Sequence, residues 1–261
     1  MPLRLDPPFA SVLAEADRTL IGMWVCSGSA LVAEICAGSG LDWLLIDTEH
    51  SPGDLMTLQG QLQATHAYPI TPVVRPPSAD PVTIKQYLDL GVQNLLIPMI
   101  DDSAQAREVA RAVTYPPEGI RGVGSALARG SRWNRVPDYL GQARETLSVY
   151  VQVESGTAVK NIAEIATTPG IDGVFVGPSD LAASMGLLGQ QDHPDVIHAV
   201  TTCITAARRA GRKVGVNAFA PALAQRYIEA GADFILVGAD VDLLARGSER
   251  LMSAYMGGGT P

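Results

Sequence analysis

Eight short apolar runs punctuate the chain: LIGMWVCS (20–27), WLLID (43–47), ITPVVR (70–75), NLLIPM (94–99), SVYVQVE (148–154), DGVFVG (172–177), KVGVN (213–217) and DFILVG (233–238). Each has the length of a strand and is apolar almost throughout, the pattern of parallel strands covered on both faces. Between them lie segments with helical start and stop signals, and this alternation builds a parallel sheet. Ser51-Pro52-Gly53-Asp54 reads as a capping hydroxyl, a proline at the first helical position and a carboxylate in the first turn. Asp80-Pro81 repeats the cap-and-proline device. A glycine leads from helix to strand in GLDWLLID, GVQNLLIP, GIDGVFVG and GADFILVG, an internal echo of one βα unit.

Eight such units in 261 residues predict a (β/α)8 TIM barrel, with chemistry at the C-terminal ends of the strands. A doubly wound open sheet is the rival, weakened by the lack of a GxGxxG turn or a glycine-lysine phosphate loop. The expected organisation is one barrel domain over residues 1–256 and a frayed tail at 257–261. With 47% hydrophobic and 18% charged residues the chain can bury one sizeable core. A net charge of -8 argues against a polyanion such as nucleic acid, so a small anionic substrate needs a local positive site. Cys26, Cys36 and Cys203 are too few and too scattered for a disulfide framework or a zinc cluster, and an odd count fits a reducing compartment. The N-terminal MPLRLDPPFASVL lacks the basic-then-apolar order of a signal peptide, and no apolar stretch approaches a membrane span, so a cytoplasmic protein is expected.

Charged residues at strand ends carry the candidate chemistry, because a core strand has no other reason to bear them. The second strand ends in Asp47 followed by Thr48, Glu49 and His50, the third in Arg75, the fifth in Gln152-Val153-Glu154, and the sixth runs into Gly177-Pro178-Ser179-Asp180. Glu154 and Asp180 are the natural pair for a hard divalent cation, completed by substrate oxygens and water. The alternatives are a salt bridge for Glu154 and a helix cap for Asp180. Arg75, stiffened by Pro76-Pro77, offers a fork of donors to a carboxylate or a developing enolate oxygen, or else pairs with Asp47 or Glu49. His50 can shuttle a proton, with Asp89 a candidate orienter from elsewhere in the chain. The glycine-rich, basic segment 115–134 either lies over the barrel mouth or contacts another subunit, and its arginines, Arg121, Arg129, Arg132 and the adjoining Arg135, make a positive patch that suits an anionic substrate or a subunit interface.

The motifs IDTEHSPGD, VVRPP, LDLGVQNLLIPM, YPPEGIRGVGSALARGSRWN, VQVES and GPSDLAASMG, in order from Gly22 to Leu244, resemble the HpcH/HpaI family of class II pyruvate aldolases. The resemblance implies a (β/α)8 barrel whose C-terminal helix is swapped with a neighbour in a hexamer, a dimer of trimers. It implies a divalent metal ion (Mg2+, Mn2+ or Co2+) on Glu154 and Asp180, with ligand contacts from Arg75, Gln152 and the amides at Ser179 and Asp180. His50 carries acid/base work beside Asp89, with Asp47 and Glu49 on the same rim. The implied reaction is reversible cleavage of a 4-hydroxy-2-oxo acid to pyruvate and an aldehyde. Lys85, Lys160 and Lys213 fall in helices or at a strand start, so no Schiff-base lysine is expected. Another metal-dependent lyase or transferase of the phosphoenolpyruvate/pyruvate barrels is the alternative, and a non-enzymatic binding barrel a weaker one.

Overall fold

The computed structural model describes residues 3 and 5–256, so the expected tail at 257–261 lies outside the described residues. The elements run α1 (Phe9–Glu15), β1 (Leu20–Val25), α2 (Ala30–Ala37), β2 (Trp43–Asp47), α3 (Leu55–Thr65), β3 (Thr71–Arg75), α4 (Pro81–Asp89), β4 (Asn94–Ile97) and α5 (Ser103–Val113). They continue α6 (Tyr139–Gln142), β5 (Ser148–Val153), α7 (Gly156–Lys160), α8 (Ile162–Thr167), β6 (Gly173–Val176), α9 (Pro178–Ser184), α10 (Pro194–Arg209), β7 (Lys213–Asn217), α11 (Pro221–Glu229), β8 (Phe234–Ala239) and α12 (Asp240–Met256). The strands close into a parallel barrel in sequence order, β8 pairing with β1. The open-sheet rival is thereby excluded.

Side-chain alternation explains both the core and the site. Leu20, Trp43, Leu45, Val73, Leu96, Tyr150, Phe175, Phe234 and Leu236 fill the barrel interior. Val74, Val149, Val151, Val153, Val174 and Val214 face outward into the layer shared with the helices. Residues two apart on a strand share a face. The inward set therefore continues upward as Trp24, Asp47, Arg75, Gln152, Glu154 and Asn217, so the polar residues form the top layer of a stack whose lower layers are apolar. Two glycines make that stack possible: a Cβ on Gly22 would lie 2.5 Å from the Trp43 ring, and one on Gly215 would lie 2.3 Å from the Phe234 ring.

The floor is closed by α1. Phe9 is fully buried against Trp43 and Phe234, with ring centroids 5.4 Å away in each case. Pro8 offers no side-chain cap to α1, and strand residues supply it instead: Phe9 N donates to Asn94 Oδ1 at 2.7 Å and Ala10 N to Ser148 Oγ at 2.8 Å. Truncating such a plug to alanine costs about 3–5 kcal/mol.

Local signals held with one shift. Asp80 caps α4 through Thr83 N, with Pro81 in the first turn, as the sequence predicts. The SPGD segment is a loop: Asp54 caps α3 through Thr57 N, while the Ser51 hydroxyl donates to the Asp47 carbonyl instead. Gly91 and Gly231 take φ of +93° and +101°, the left-handed turn that a side chain resists.

Segment 115–134 lies between α5 and β5, so it belongs to the end of the barrel where strands begin, opposite the catalytic end. It does not cover the mouth of its own barrel. The last helix, α12, touches β1 and β8, yet only Asp240 of it is buried; Leu243, Leu244, Leu251, Met252 and Tyr255 are exposed. Among the described residues no helix is long and apolar enough to cross a membrane.

Candidate active site

The top layer opens on a cavity of about 440 Å³ lined by Trp24, Asp47, His50, Arg75, Gln152, Glu154, Ser179 and Asp180, among others. At its centre Arg75 and Asp47 are register partners on adjacent strands, which sets their side chains face to face. The guanidinium is bidentate, Nε to Oδ1 and Nη2 to Oδ2 at 2.9 Å each, while Nη1 reaches Glu49 Oε2 at 2.7 Å and Gln152 Oε1 at 3.5 Å. The Trp24 ring lies 4.4 Å from the guanidinium carbon, a cation–π contact. Of five N–H groups, three hydrogen-bond to protein oxygens, which leaves one on Nη1 beside Glu49 and one on Nη2. Burial opposes the Arg75 charge, but Asp47, Glu49 and Glu154 outweigh it and hold the group above its ordinary value.

Gln152 links this arginine to Glu154. Its Oε1 faces Arg75 and its Nε2 donates to Glu154 Oε1 at 2.7 Å, while Met99 N donates to Glu154 Oε2 at 3.1 Å. Met99 does so from φ +56°, a conformation costly for a residue with a side chain. Gly177 completes the enclosure, for a Cβ there would meet Glu154 Oε1 at 2.5 Å. Glu154 is 4% exposed. Its pKa is pushed up to about 7 by burial, with the neighbouring Asp180 and Glu49 charges adding to the effect. Burial likewise raises Glu49.

Neither sequence alternative for the carboxylate pair holds in this chain. Among the described residues Glu154 has no basic side chain within salt-bridge distance. Asp180 sits in the first turn of α9 but is not its cap, which is Gly177 without a side-chain bond. Among the described residues no cluster of three or more His, Cys, Asp or Glu could hold a metal. Glu154 and Asp180 offer carboxylate oxygens with no basic partner of their own among the described residues, a donor chemistry compatible with a hard divalent cation that takes its other ligands from elsewhere.

The remaining expected residues are placed unequally. His50 is exposed, its side chain 71% accessible, with Nε2 4.0 Å from Glu49 Oε2, and Asp47 accepts from the backbone amides of Glu49 and His50 at 3.1 and 3.3 Å. The Thr48 hydroxyl donates to Arg75 O and accepts from Tyr87 OH at 2.9 Å, fixing this turn to β3 and α4. Ser179 and Asp180 are exposed at the mouth. Asp89 is not brought to His50: as the last residue of α4 it lies toward the opposite end, where its Oδ1 is 3.5 Å from Arg121 Nη2.

Sequence reasoning passed over Trp24, Asn217, Phe219, Val241 and Cys26, which also line the cavity. Asn217 ends a strand with a polar side chain and meets the criterion that found Arg75; it accepts from Trp24 Nε1 at 3.3 Å. Asp240, following β8, takes the amides of Cys26 and Ser27 at 2.8 and 3.1 Å. Burial, then the Asp47 and Asp240 charges, push the Cys26 thiol up to about 12, which leaves it protonated and inert.

Fold and mouth together define a (β/α)8 barrel enzyme with a buried arginine fork beside a pair of carboxylates. The family model described as HpcH/HpaI aldolase/citrate lyase matches residues 20–247, and the chain belongs to that family. It is 52% identical over 241 residues to the 4-hydroxy-2-oxo-heptane-1,7-dioate aldolase of Salmonella dublin, covering 92% of each chain. It is 51% identical over 257 residues to the hydroxypyruvate/pyruvate aldolase of Deinococcus radiodurans, covering 97% of this chain and 92% of that one. A crystal structure of a family member from Burkholderia cenocepacia J2315 superimposes with a TM-score of 0.91 at 39% identity, covering 95% of this chain and 99% of the other.

Proposed function

We propose that the protein is a class II pyruvate aldolase that cleaves a 4-hydroxy-2-oxo acid reversibly to pyruvate and an aldehyde. The observation that carries this reading is the line Arg75, Gln152, Glu154 at one barrel mouth, with Asp180 facing it. Glu154 and Asp180 would hold the cation, Mg2+, Mn2+ or Co2+. When bound it supplies Lewis acidity toward the oxygens of a 2-oxo acid.

The chain's own groups do the rest. The free N–H of Arg75 Nη2, backed by a guanidinium locked on Asp47, meets negative charge developing on the C2 oxygen. The amides of Ser179 and Asp180, in the first turn of α9 and without helical acceptors, receive the substrate carboxylate. His50 moves the carbinol proton at the C4 oxygen from the open side of the cavity. A pairing of His50 with Asp89 requires two copies of the chain, since one copy keeps them apart. The apolar residues exposed along α12 call for the same assembly, and support a helix exchanged with a neighbour in a hexamer, a dimer of trimers. No lysine contributes: Lys85 and Lys160 lie in helices and Lys213 begins β7.

The aldehyde end of the cavity is bordered by Phe219 and Val241, and Arg75 is its only Arg or Lys among the described residues. This favours an acceptor without a second carboxylate. Pyruvate release from a panel of 4-hydroxy-2-oxo acids, with and without EDTA, tests the proposal. Release that EDTA abolishes and Mg2+, Mn2+ or Co2+ restores is expected; EDTA-resistant release overturns it.

A further inference from the structure

The basic residues of segment 115–134 play no part in the mouth of their own barrel. Arg121 is buried against the Tyr115 ring at 4.5 Å, with Asp89 beside it. Arg129 and Arg132 instead border a cleft of about 240 Å³ at the opposite end of the barrel, together with His66, Tyr68, Gly91 and Gln93.

The two guanidinium groups are held together without a counter-charge. Both Nη1 atoms converge on Gly91, 2.8 and 3.1 Å from the place a Cβ would occupy. Arg129 Nη1 donates to Leu90 O at 2.8 Å and Arg132 Nη1 to Arg129 O at 3.1 Å; these are their only protein acceptors among the described residues. Neither has a carboxylate within salt-bridge distance among the described residues; Asp6 at the cleft edge is turned to His66 at 3.4 Å. Burial and the adjacent Arg132 charge hold Arg129 below its ordinary value.

The backbone bears a cost for this placement. Arg132, Trp133 and Asn134 are three consecutive non-glycine residues with φ of +54°, +56° and +62°, where left-handed conformation is unfavourable. The turn is pinned by Asn134 N donating to Ser131 Oγ at 2.8 Å and Trp133 N to Ala128 O at 3.0 Å. Like charges gathered in a concavity, with their remaining N–H groups unused, match a ligand that brings negative oxygens in a forked arrangement.

We propose that this cleft is an anion site, outside the mouth of its own barrel, which takes a small dianion carrying phosphate or carboxylate oxygens. Its occupant would bridge the α4–β4 turn and the 129–132 segment.

Isothermal titration of the intact protein with inorganic phosphate, and separately with succinate, at fixed ionic strength tests it. Saturable binding of one equivalent per chain is expected for at least one probe, unchanged by excess pyruvate. A preference for phosphate identifies a phosphoryl ligand and a preference for succinate a dicarboxylate. Arg132→Gln, whose only protein bond lies within its own loop, should weaken binding at least tenfold, with thermal unfolding and pyruvate release unchanged. Arg129→Gln is the second variant, and Arg132→Lys should fall between wild type and Arg132→Gln. The absence of saturable binding, or equal binding by wild type and a folded Arg132→Gln, overturns the proposal.

Discussion

Replacing Arg75 separates what the arginine does for the fold from what it does for the reaction. Its guanidinium pairs with Asp47, which is buried, and with the partly buried Glu49. Arg75→Ala leaves Asp47 as an uncompensated buried charge, a change that costs about 3–5 kcal/mol of stability. The same substitution removes an oxyanion donor, worth about 10²–10³ in kcat. Arg75→Met combined with Asp47→Leu removes both charges together. A buried ion pair replaced by apolar groups of similar volume is often neutral or stabilising, so the double variant should regain part of the lost stability, less the cost of leaving Glu49 and the two amides held by Asp47 without partners, while its activity stays low. Denaturant unfolding measures the first effect and single-turnover pyruvate release the second. Because an enolate-stabilising donor acts in the transition state, kcat should fall much more than substrate affinity. A double variant that recovers activity along with stability would refute the assignment, as would an Arg75→Ala enzyme altered only in KM.

Gly177→Ala forces Glu154 away from a Cβ that would stand 2.5 Å from its Oε1, breaking the hold of Gln152 or Met99. Metal affinity measured by titration should fall about 10–100-fold. In the metal-free protein the Glu154 pKa of about 7 lies above the ordinary value of 4.5, so the folded state binds this proton more tightly than the unfolded state. Its contribution to stability should therefore decline by about 3 kcal/mol as pH rises from about 4.5 to about 7 and level off above. Denaturant unfolding across pH reads this slope, and Glu154→Gln should remove it. The proposed docking of α12 on a neighbour predicts that Leu251→Glu on its exposed face gives smaller species than wild type in sedimentation velocity; an unchanged sedimentation coefficient would count against that docking.

The site was legible in the sequence where one alternation rule carries both core and chemistry. Asp47 continues the inward set of Trp43 and Leu45, Arg75 that of Val73, and Glu154 that of Tyr150, so a charge closing an apolar strand already points to the mouth. Met99 was not legible, because its part depends on a left-handed backbone that no residue type announces. Asp240 was overlooked because an acid opening a helix looks like an ordinary first-turn residue, whereas here it holds the β1–α2 loop. Asp89 shows a different limit. Motif order assigns it a role beside His50, but a residue at the end of a helix lies toward the opposite end from a strand-end residue, and only a second chain can bring them together. The SPGD signal was misplaced by three residues because the Ser51 hydroxyl found a nearer acceptor at Asp47.

The central claim is that this mouth removes a proton from C3 of pyruvate with the help of Arg75 and a cation on Glu154 and Asp180. Proton NMR of pyruvate in D2O with the metal-loaded enzyme, and no aldehyde present, tests it most directly. The account predicts enzyme-catalysed loss of the methyl signal through deuterium exchange, abolished by chelation and strongly slowed in Arg75→Lys. A methyl signal that decays no faster than in buffer, or one whose decay survives chelation, would contradict it.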